Sequence, residues 1–251
     1  MTTATYRKLT GMTELLMCTQ IEQRVWGEGI VPTHLLKAVS SMGGLVVGAF
    51  VPAGMVGFTF GFLGRRGDEL LHHSHVLAVL PEWSGQGIGE ALKREQAELC
   101  RAQGLKLMTW PFDPLRARNA HLNLEKLGVV VRRYEADYYG DMTDAQNGQL
   151  ASDRLLAEWQ LDHHGERWSG EAAELPAALA GTAGGPGEPD LTLDAAAVHV
   201  AVPRDVGHLL ETDPEQAGRW RQSVRQALSH YLMRGFTATR FTAGGYVLER
   251  N

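Results

Sequence analysis

The feature that most constrains this chain is LPEWSGQGIGEALK, residues 80–93, where three glycines stand at alternate positions at the start of a predicted helix. Each glycine inside a helix costs about 1 kcal/mol relative to alanine, so this spacing does not serve helix stability. Backbone N–H groups at a helix start lack intrahelical partners, and the helix dipole adds positive potential there. A strand that delivers such a turn into a helix therefore predicts a site for an anionic ligand.

The spacing of the glycines disfavours the two common nucleotide-binding loops. The Gly-Lys-Ser/Thr sequence of a Walker loop is absent, and Gly85-x-Gly87-x-Gly89 lacks the G-x-G-x-x-G spacing of a Rossmann dinucleotide site. A Rossmann-type nucleotide enzyme is therefore disfavoured. A tight strand-to-helix turn that binds no ligand is the alternative interpretation of the glycines alone.

Composition restricts the class of protein. Of 251 residues, 44% are hydrophobic and 21% are charged, which is typical of a soluble globular protein. A net charge of −5 argues against a nucleic acid partner, and no apolar run approaches the roughly 20 residues of a membrane span. No export signal is visible at the N-terminus, so we expect a cytoplasmic protein. With only two cysteines, Cys18 and Cys100, we expect buried free thiols and no metal.

The order of predicted elements is strand, two helices, two strands, then strand, helix, strand, helix and two strands. This order predicts a mixed sheet with helices on both faces. The helix after the glycines is predicted from Gly87 to Gln103. Residues 163–190 break the pattern, and GTAGGPGEP within them predicts an irregular connector. Beyond it, residues 191–251 predict a small α/β extension of strand, helix and hairpin.

Two segments together resemble the GNAT superfamily of acyl-CoA N-acyltransferases. They are VLPEWSGQGIGEALK and TWPFDPLRARNAHLNLEKLG, and the second is similar to an uncharacterised bacterial branch. The likeness covers residues 5–162, with a weaker likeness in WRQSVRQALSHYLMRGF. It implies an α/β (α+β) fold for residues 1–162, with a mostly antiparallel central sheet. In that fold the fourth and fifth strands splay apart and the pantetheine arm enters the gap.

The resemblance implies a site for acetyl-CoA or another acyl-CoA, with succinyl-CoA equally open. The residues that it assigns to this site are Leu77, Ala78, Val79, Gly85, Gln86, Gly87, Ile88, Gly89, Glu90 and Asn119. For Asn119, a polar group on a helix surface is an equal alternative. Ser84 stands where the family usually has arginine or glutamine, so one side-chain contribution is missing. Lys93 and Arg94 either approach a phosphate or form a solvated face on which Glu90 pairs with Arg94.

His73 and His75 are the predicted catalytic bases, because residues two apart on a strand point to the same face. HSHVLAV also resembles the strand of serotonin N-acetyltransferase whose histidines deprotonate the amine. The alternative is that both histidines are packed or hydrogen-bonded residues without a catalytic part. The backbone N–H of Val79 is the implied oxyanion donor. Leu124 occupies the position where many members carry the tyrosine that protonates the departing thiolate.

The predicted binding residues for the acceptor are Glu28, Trp110 and Phe112. The alternative for Glu28 is a solvated surface carboxylate, and the alternative for Trp110 and Phe112 is a place in the core. Arg219, Arg221 and Arg225 either receive a carboxylate or form a solvated helix face. The predicted function is transfer of an acetyl or other short acyl group, succinyl included, to a small amine or amino acid by direct attack. The alternative is a non-catalytic acyl-CoA-binding regulatory module or sensor. A homodimer is left open.

Overall fold

The computed structural model of the protein describes residues 4–27, 29–140, 150–162 and 174–250. Contacts divide the chain into two compact units. The first consists of residues 1–110 with 160–163, and the second of residues 111–159 with 164–251.

The first unit is a sheet packed against three helices. Its elements are β1 (Thr5–Lys8), α1 (Met12–Trp26), α2 (Thr33–Ser41), β2 (Leu45–Val51), β3 (Gly54–Arg66), β4 (Glu69–Val79), α3 (Ile88–Ala102) and β5 (Leu107–Phe112), whose last two residues count with the second unit. Strands β1 to β4 pair antiparallel in that order, and β5 runs parallel to β4.

The core of the first unit is formed by one buried stripe on α1 and α3 and by strands β2 and β3, which are buried on both faces. Phe58 and Phe60 alternate along β3 and are almost completely buried, as are Leu15 and Cys18 on α1 and Leu92 on α3. Burial of such large side chains stabilises a fold by about 1.5 to 3 kcal/mol each. Cys18 and Cys100 are buried free thiols, as predicted.

The second unit joins the second half of the predicted core domain with the C-terminal extension. Its elements are α4 (Ala117–His121) with a π-helical continuation (Leu122–Leu127), β6 (Val130–Glu135), β7 (Arg154–Gln160), β8 (Ala177–Leu179), β9 (Gly181–Thr182), β10 (Gly185–Pro186), β11 (Ala197–Ala201), α5 (Val206–Thr212), α6 (Pro214–Met233), β12 (Phe236–Thr242) and β13 (Gly245–Arg250). Its strands lie in the order β7-β6-β12-β13-β11-β8, and β9 and β10 form a separate pair.

The predicted fold class is confirmed: the sheet is mixed and largely antiparallel. The helix predicted over 87–103 is observed over 88–102. The predicted connector is only partly irregular, because residues 177–186 contain three short strands, and residues 163–173 lie outside the described part. The chain passes between the two compact units after Trp110, after Trp159 and after residue 163. The division into residues 1–162, 163–190 and 191–251 stays a prediction.

Candidate functional site

The loop between β4 and α3 is a turn that only glycine adopts easily. Gly85 has φ +77° and Gly87 has φ +82°, a left-handed conformation that costs other residues about 1 to 2 kcal/mol. Residues 84–87 are exposed, and no protein atom lies within 4 Å of where a Cβ would stand at Gly85 or Gly87. The two glycines therefore serve the path of the backbone rather than close packing.

The start of α3 presents unused hydrogen-bond donors. The first helical bond runs from Ala91 N–H to Gly87 O (3.0 Å), and no side chain caps the helix. Among the hydrogen bonds of the described residues, the N–H groups of Ile88, Gly89 and Glu90 have no acceptor. Together with the positive end of the helix dipole, these donors fit a phosphate or diphosphate.

Side chains of the loop are engaged elsewhere, so the anion site rests on the backbone. The Gln86 amide donates to Glu82 O (3.1 Å), and Arg94 pairs with Glu90. Lys93 fits neither of its predicted alternatives, because it is buried and its ammonium is bonded to Ser74 inside the first unit. The expectation that Lys93 approaches a phosphate or lies on a solvated face is therefore wrong.

Strand β4 leaves one edge open beyond the histidines. Among the described residues β4 pairs with β5 only at His72–Met108 and His73–Thr109, as the predicted splay of these strands requires. The N–H of Leu80 donates to Val56 O on β3 (2.9 Å). Since successive N–H groups along a strand point to opposite edges, the N–H of Val79 lies on the edge away from β3. Val79 can therefore donate to a ligand beside β4.

His73 and His75 lie on one face of β4, as predicted. Their ring centroids are 6.1 Å apart, and both rings contact Phe62. The register against β3 jumps from Ser74 opposite Gly61 to Val76 opposite Phe60, so His75 is the extra residue of a β-bulge. Bulges re-aim side chains and are frequent beside active sites.

The surroundings of these two histidines favour the neutral imidazole, although His73 is only half-buried and His75 is exposed. Burial lowers the pKa of His73 to about 4, assisted by the neighbouring charges of His75 and Lys93, and burial also lowers the pKa of His75. Both imidazoles are therefore unprotonated at pH 7, and the low pKa of His73 makes it a weaker base than an ordinary imidazole. Both histidines therefore take up a proton at a lower pH than an ordinary histidine, whose pKa is about 6.5.

The other predicted site residues are distributed over both units. Trp110 is buried at the end of the first unit, and the Lys93 ammonium lies 3.8 Å from the centre of its ring. In the second unit Phe112 is buried at the end of β5, and Asn119 is exposed on α4. Leu124 is buried in the π-helical segment, and Glu28 lies outside the described residues.

All three C-terminal arginines pair with carboxylates, and a solvated helix face is wrong for Arg221, which is buried. Arg221 is buried and donates to Asp113 (2.9 Å), and Arg225 donates to Asp153 (2.8 Å). Arg219 pairs with Glu215, and the side chains of Arg219 and Arg225 are both partly exposed. Within the described residues no group of three or more His, Cys, Asp or Glu side chains is arranged to hold a metal ion, and no helix has the length and apolarity to cross a membrane.

Sequence comparison and structural comparison give different results. No family model matches the sequence, and no curated protein matches it. The structure, in contrast, is similar to many solved structures.

Three solved acetyltransferases illustrate this similarity. The Escherichia coli ribosomal-protein-S18-alanine N-acetyltransferase gives a TM-score of 0.52 at 18% identity over 66% of this chain and 99% of its own. The Salmonella typhimurium putative acetyltransferase with acetyl-CoA gives 0.51 at 20% identity over 66% and 99%. A Streptococcus pneumoniae GNAT acetyltransferase gives 0.52 at 12% identity over 63% and 99%. The chain therefore has the GNAT fold.

Proposed function

We propose that this chain is an acyl-CoA-dependent N-acyltransferase. It transfers an acetyl group, or another short acyl group such as succinyl, to a small amine or an amino acid by direct attack. The observation that carries this proposal is the set of open N–H groups of residues 88–90 at the glycine turn, next to a strand whose far edge is free. The acceptor class and the acyl group come from the resemblance.

The first unit has backbone donors suited to a diphosphate and to the carbonyl oxygen of a thioester. Residues 88–90 would hold the diphosphate through their N–H groups, and the free edge of β4 at Leu77 to Val79 would pair with the pantetheine amides. When bound, the acyl-CoA supplies an activated carbonyl. The N–H of Val79 would stabilise negative charge on the carbonyl oxygen, a role worth about 3 kcal/mol in other enzymes.

Direct attack requires a neutral amine and a leaving thiolate. His73 or His75 takes the first proton of the ammonium, and the neutral amine nitrogen bonds to the carbonyl carbon. As the carbon–sulfur bond breaks, the nitrogen gives up its second proton to the other histidine or to water, and the products are the amide and the CoA thiolate. A positioned base of this kind contributes about 10²- to 10⁴-fold. Leu124 offers no proton, so sulfur leaves as the thiolate, at a cost of about 2 kcal/mol at pH 7 for a thiol of pKa about 8.5.

The arginines constrain any carboxylate on the acceptor or the acyl group. Arg221 and Arg225 already pair with Asp113 and Asp153, so a substrate carboxylate would have to displace one of these partners. We therefore do not place a substrate carboxylate on α6.

Ligand binding tests the class of cofactor. Thermal shift is measured with CoA, acetyl-CoA, succinyl-CoA, NAD and ATP, since a ligand at 100 times its Kd stabilises the fold by about 2.7 kcal/mol. We expect stabilisation by the CoA compounds alone. Stabilisation by NAD or ATP without CoA would contradict the proposal.

Thiol release tests turnover and separates the second candidate function. A panel of amines and amino acids is offered with each acyl-CoA, and free CoA is measured with a thiol reagent. The buried Leu124 at the usual tyrosine position favours a sensor that binds acyl-CoA without turnover. Tight CoA binding with no release across the panel would support the sensor, whereas amine-dependent release supports the enzyme.

A further inference from the structure

A buried polar network lies behind the strand that carries the two histidines. Lys93 of α3 is only 3% exposed, and its ammonium donates to the Ser74 hydroxyl (2.8 Å). Ser74 in turn donates to the Gln96 carbonyl oxygen (2.7 Å), and the Thr59 hydroxyl lies 3.3 Å from that same oxygen. Thr59 also donates to Val76 O on β4 (2.8 Å).

This network holds both sides of the β-bulge. His75 is the extra residue, and its neighbours Ser74 and Val76 are the two positions that the network bonds. Ser74 points away from the face of His73 and His75, so the network fixes the backbone from behind without contacting that face. A bulge lacks the ladder hydrogen bonds of regular pairing, and these side chains replace them.

A lysine is a costly choice for this position. In the described part of the chain Lys93 forms no ion pair, and its neighbours are the Ser74 hydroxyl and the Trp110 ring 3.8 Å away. The titratable groups that face it are His72 and His73 on β4 and Cys100 on α3, whose thiol pKa burial raises to about 12. Burial lowers the pKa of Lys93 to about 7. An apolar residue of similar length would be more stable here.

We propose that Lys93 is a positioning residue for the proton acceptors, because its bond to Ser74 fixes the bulge that orients His75 beside His73. This inference rests on the proposed function, which supplies the role of the histidines. A mispositioned base lowers the rate by about 10- to 100-fold for displacements near 1 Å. Lys93 stands outside the anion site, so its loss should leave CoA binding intact.

The first test compares Lys93→Met with Lys106→Met. Methionine keeps the length of the side chain and its packing on Trp110, while Lys106 is an exposed lysine of the same unit and serves as the matched control. We expect Lys93→Met to lower kcat by about 10- to 100-fold with an unchanged KM for acyl-CoA. Lys106→Met should behave as the natural chain. An unchanged kcat in Lys93→Met would overturn the proposal.

The second test does not need turnover. In the ligand-free protein, NMR titration of the histidine rings should show the pKa of His73 rising by about one pH unit in Lys93→Met, because a nearby positive charge is lost. Ser74→Ala, which keeps the lysine but breaks its bond, should change the chemical shifts of His75. Histidine signals identical to the natural chain in both variants would overturn the inference. If no amine is acylated by the natural chain, the proposed function fails and the titration still decides the inference.

Discussion

At Gly89 helix stability favours alanine, whereas close approach of a ligand to the backbone favours glycine. A Cβ there would lie 3.6 Å from Leu77 and 3.9 Å from Val79, which is ordinary contact, so the protein itself tolerates alanine. Alanine inside a helix is more stable than glycine by about 0.5 to 1 kcal/mol. Packing therefore does not explain the glycine, whereas the proposed ligand, which approaches the backbone closely, would.

Gly89→Ala should accordingly stabilise the free protein and weaken its CoA complex. We expect a gain of up to about 1 kcal/mol in the free energy of unfolding, and a tenfold or larger rise in the Kd of CoA, equivalent to about 1.4 kcal/mol. Urea unfolding and calorimetric titration measure the two quantities. Gly218→Ala on α6 is the control that gains stability alone, because among the described residues no atom outside its own helical turn and chain neighbours lies within 4 Å of the added methyl group. Equal CoA affinity in both variants would contradict the assignment of the loop.

His72 makes the stability of the protein depend on pH. It is buried, and its Nε2 has no hydrogen-bond partner among the described residues. Burial lowers its pKa to about 3, assisted by the charges of Lys93 and His73. The unfolded chain has the ordinary histidine pKa of about 6.5, so it binds the proton more readily between these values. The contribution of His72 is thus complete above pH 6.5 and is lost as the pH falls towards 3.

We therefore expect His72→Leu to make the fall in the free energy of unfolding between pH 6.5 and pH 4.5 shallower without abolishing it, because the lowered pKa of His73 contributes in the same pH range. Urea unfolding at a series of pH values measures it, and the same substitution at the exposed His34 controls for the loss of a histidine. A slope in His72→Leu as steep as in the natural chain would show that His72 is not the group that titrates.

At the scale of elements, helix α6 fixes the turn that follows β5. Arg221 is buried, and although burial lowers its pKa, the Asp113 carboxylate raises the pKa overall. The other oxygen of Asp113 accepts from Leu115 N–H (2.8 Å). The Arg221 Nε and Nη1 atoms have no partner within the described residues, so the pair is geometrically incomplete. Its removal should be tolerated better than its disruption.

A double-mutant cycle tests this. Asp113→Leu alone leaves a buried unpaired guanidinium and should cost about 3 to 5 kcal/mol of unfolding free energy, whereas Asp113→Leu with Arg221→Met should recover most of it. Glu215→Gln, which breaks the exposed pair with Arg219 on the same helix, should cost less than about 1 kcal/mol. Strictly additive losses at Asp113 and Arg221 would contradict the coupling.

Elements with local signals were predictable, and their distant partners were not. The glycine turn followed from spacing alone, because a left-handed backbone excludes most other residues. The burial of Lys93 could also have been predicted from the periodicity of α3. Leu92, Gln96 and Cys100 recur at helical spacing on the buried side, and Lys93 lies beside them. The positive charge of Lys93 nevertheless predicted a position exposed to solvent or to a phosphate. The pairing of Arg221 with Asp113, 108 residues apart, leaves no pattern in the sequence.

At the scale of the whole molecule, the C-terminal residues complete the second unit rather than append a separate one. Glu125 accepts from the Arg240 guanidinium (2.9 Å) and from Phe241 N–H (2.8 Å), and Val131 pairs with Ala238. The Tyr246 hydroxyl donates to Pro114 O (2.8 Å). Glycine and proline between 181 and 189 indicated a boundary in the sequence, but a composition break does not reveal which segments share a core.

A chain cut after residue 162, the predicted end of the core domain, should therefore fold only in part. The first unit keeps its own core, whereas residues 111–159 lose the partners of Asp113, Glu125 and Val131, each in the second unit. In hydrogen exchange we expect protected amides in β2 to β4 and exchange in residues 117–135 at rates near those of an unfolded chain. Co-expression of residues 174–251 should restore protection there, because the missing partners return. Full protection of residues 117–135 in the fragment alone would instead establish residues 1–162 as an independent domain.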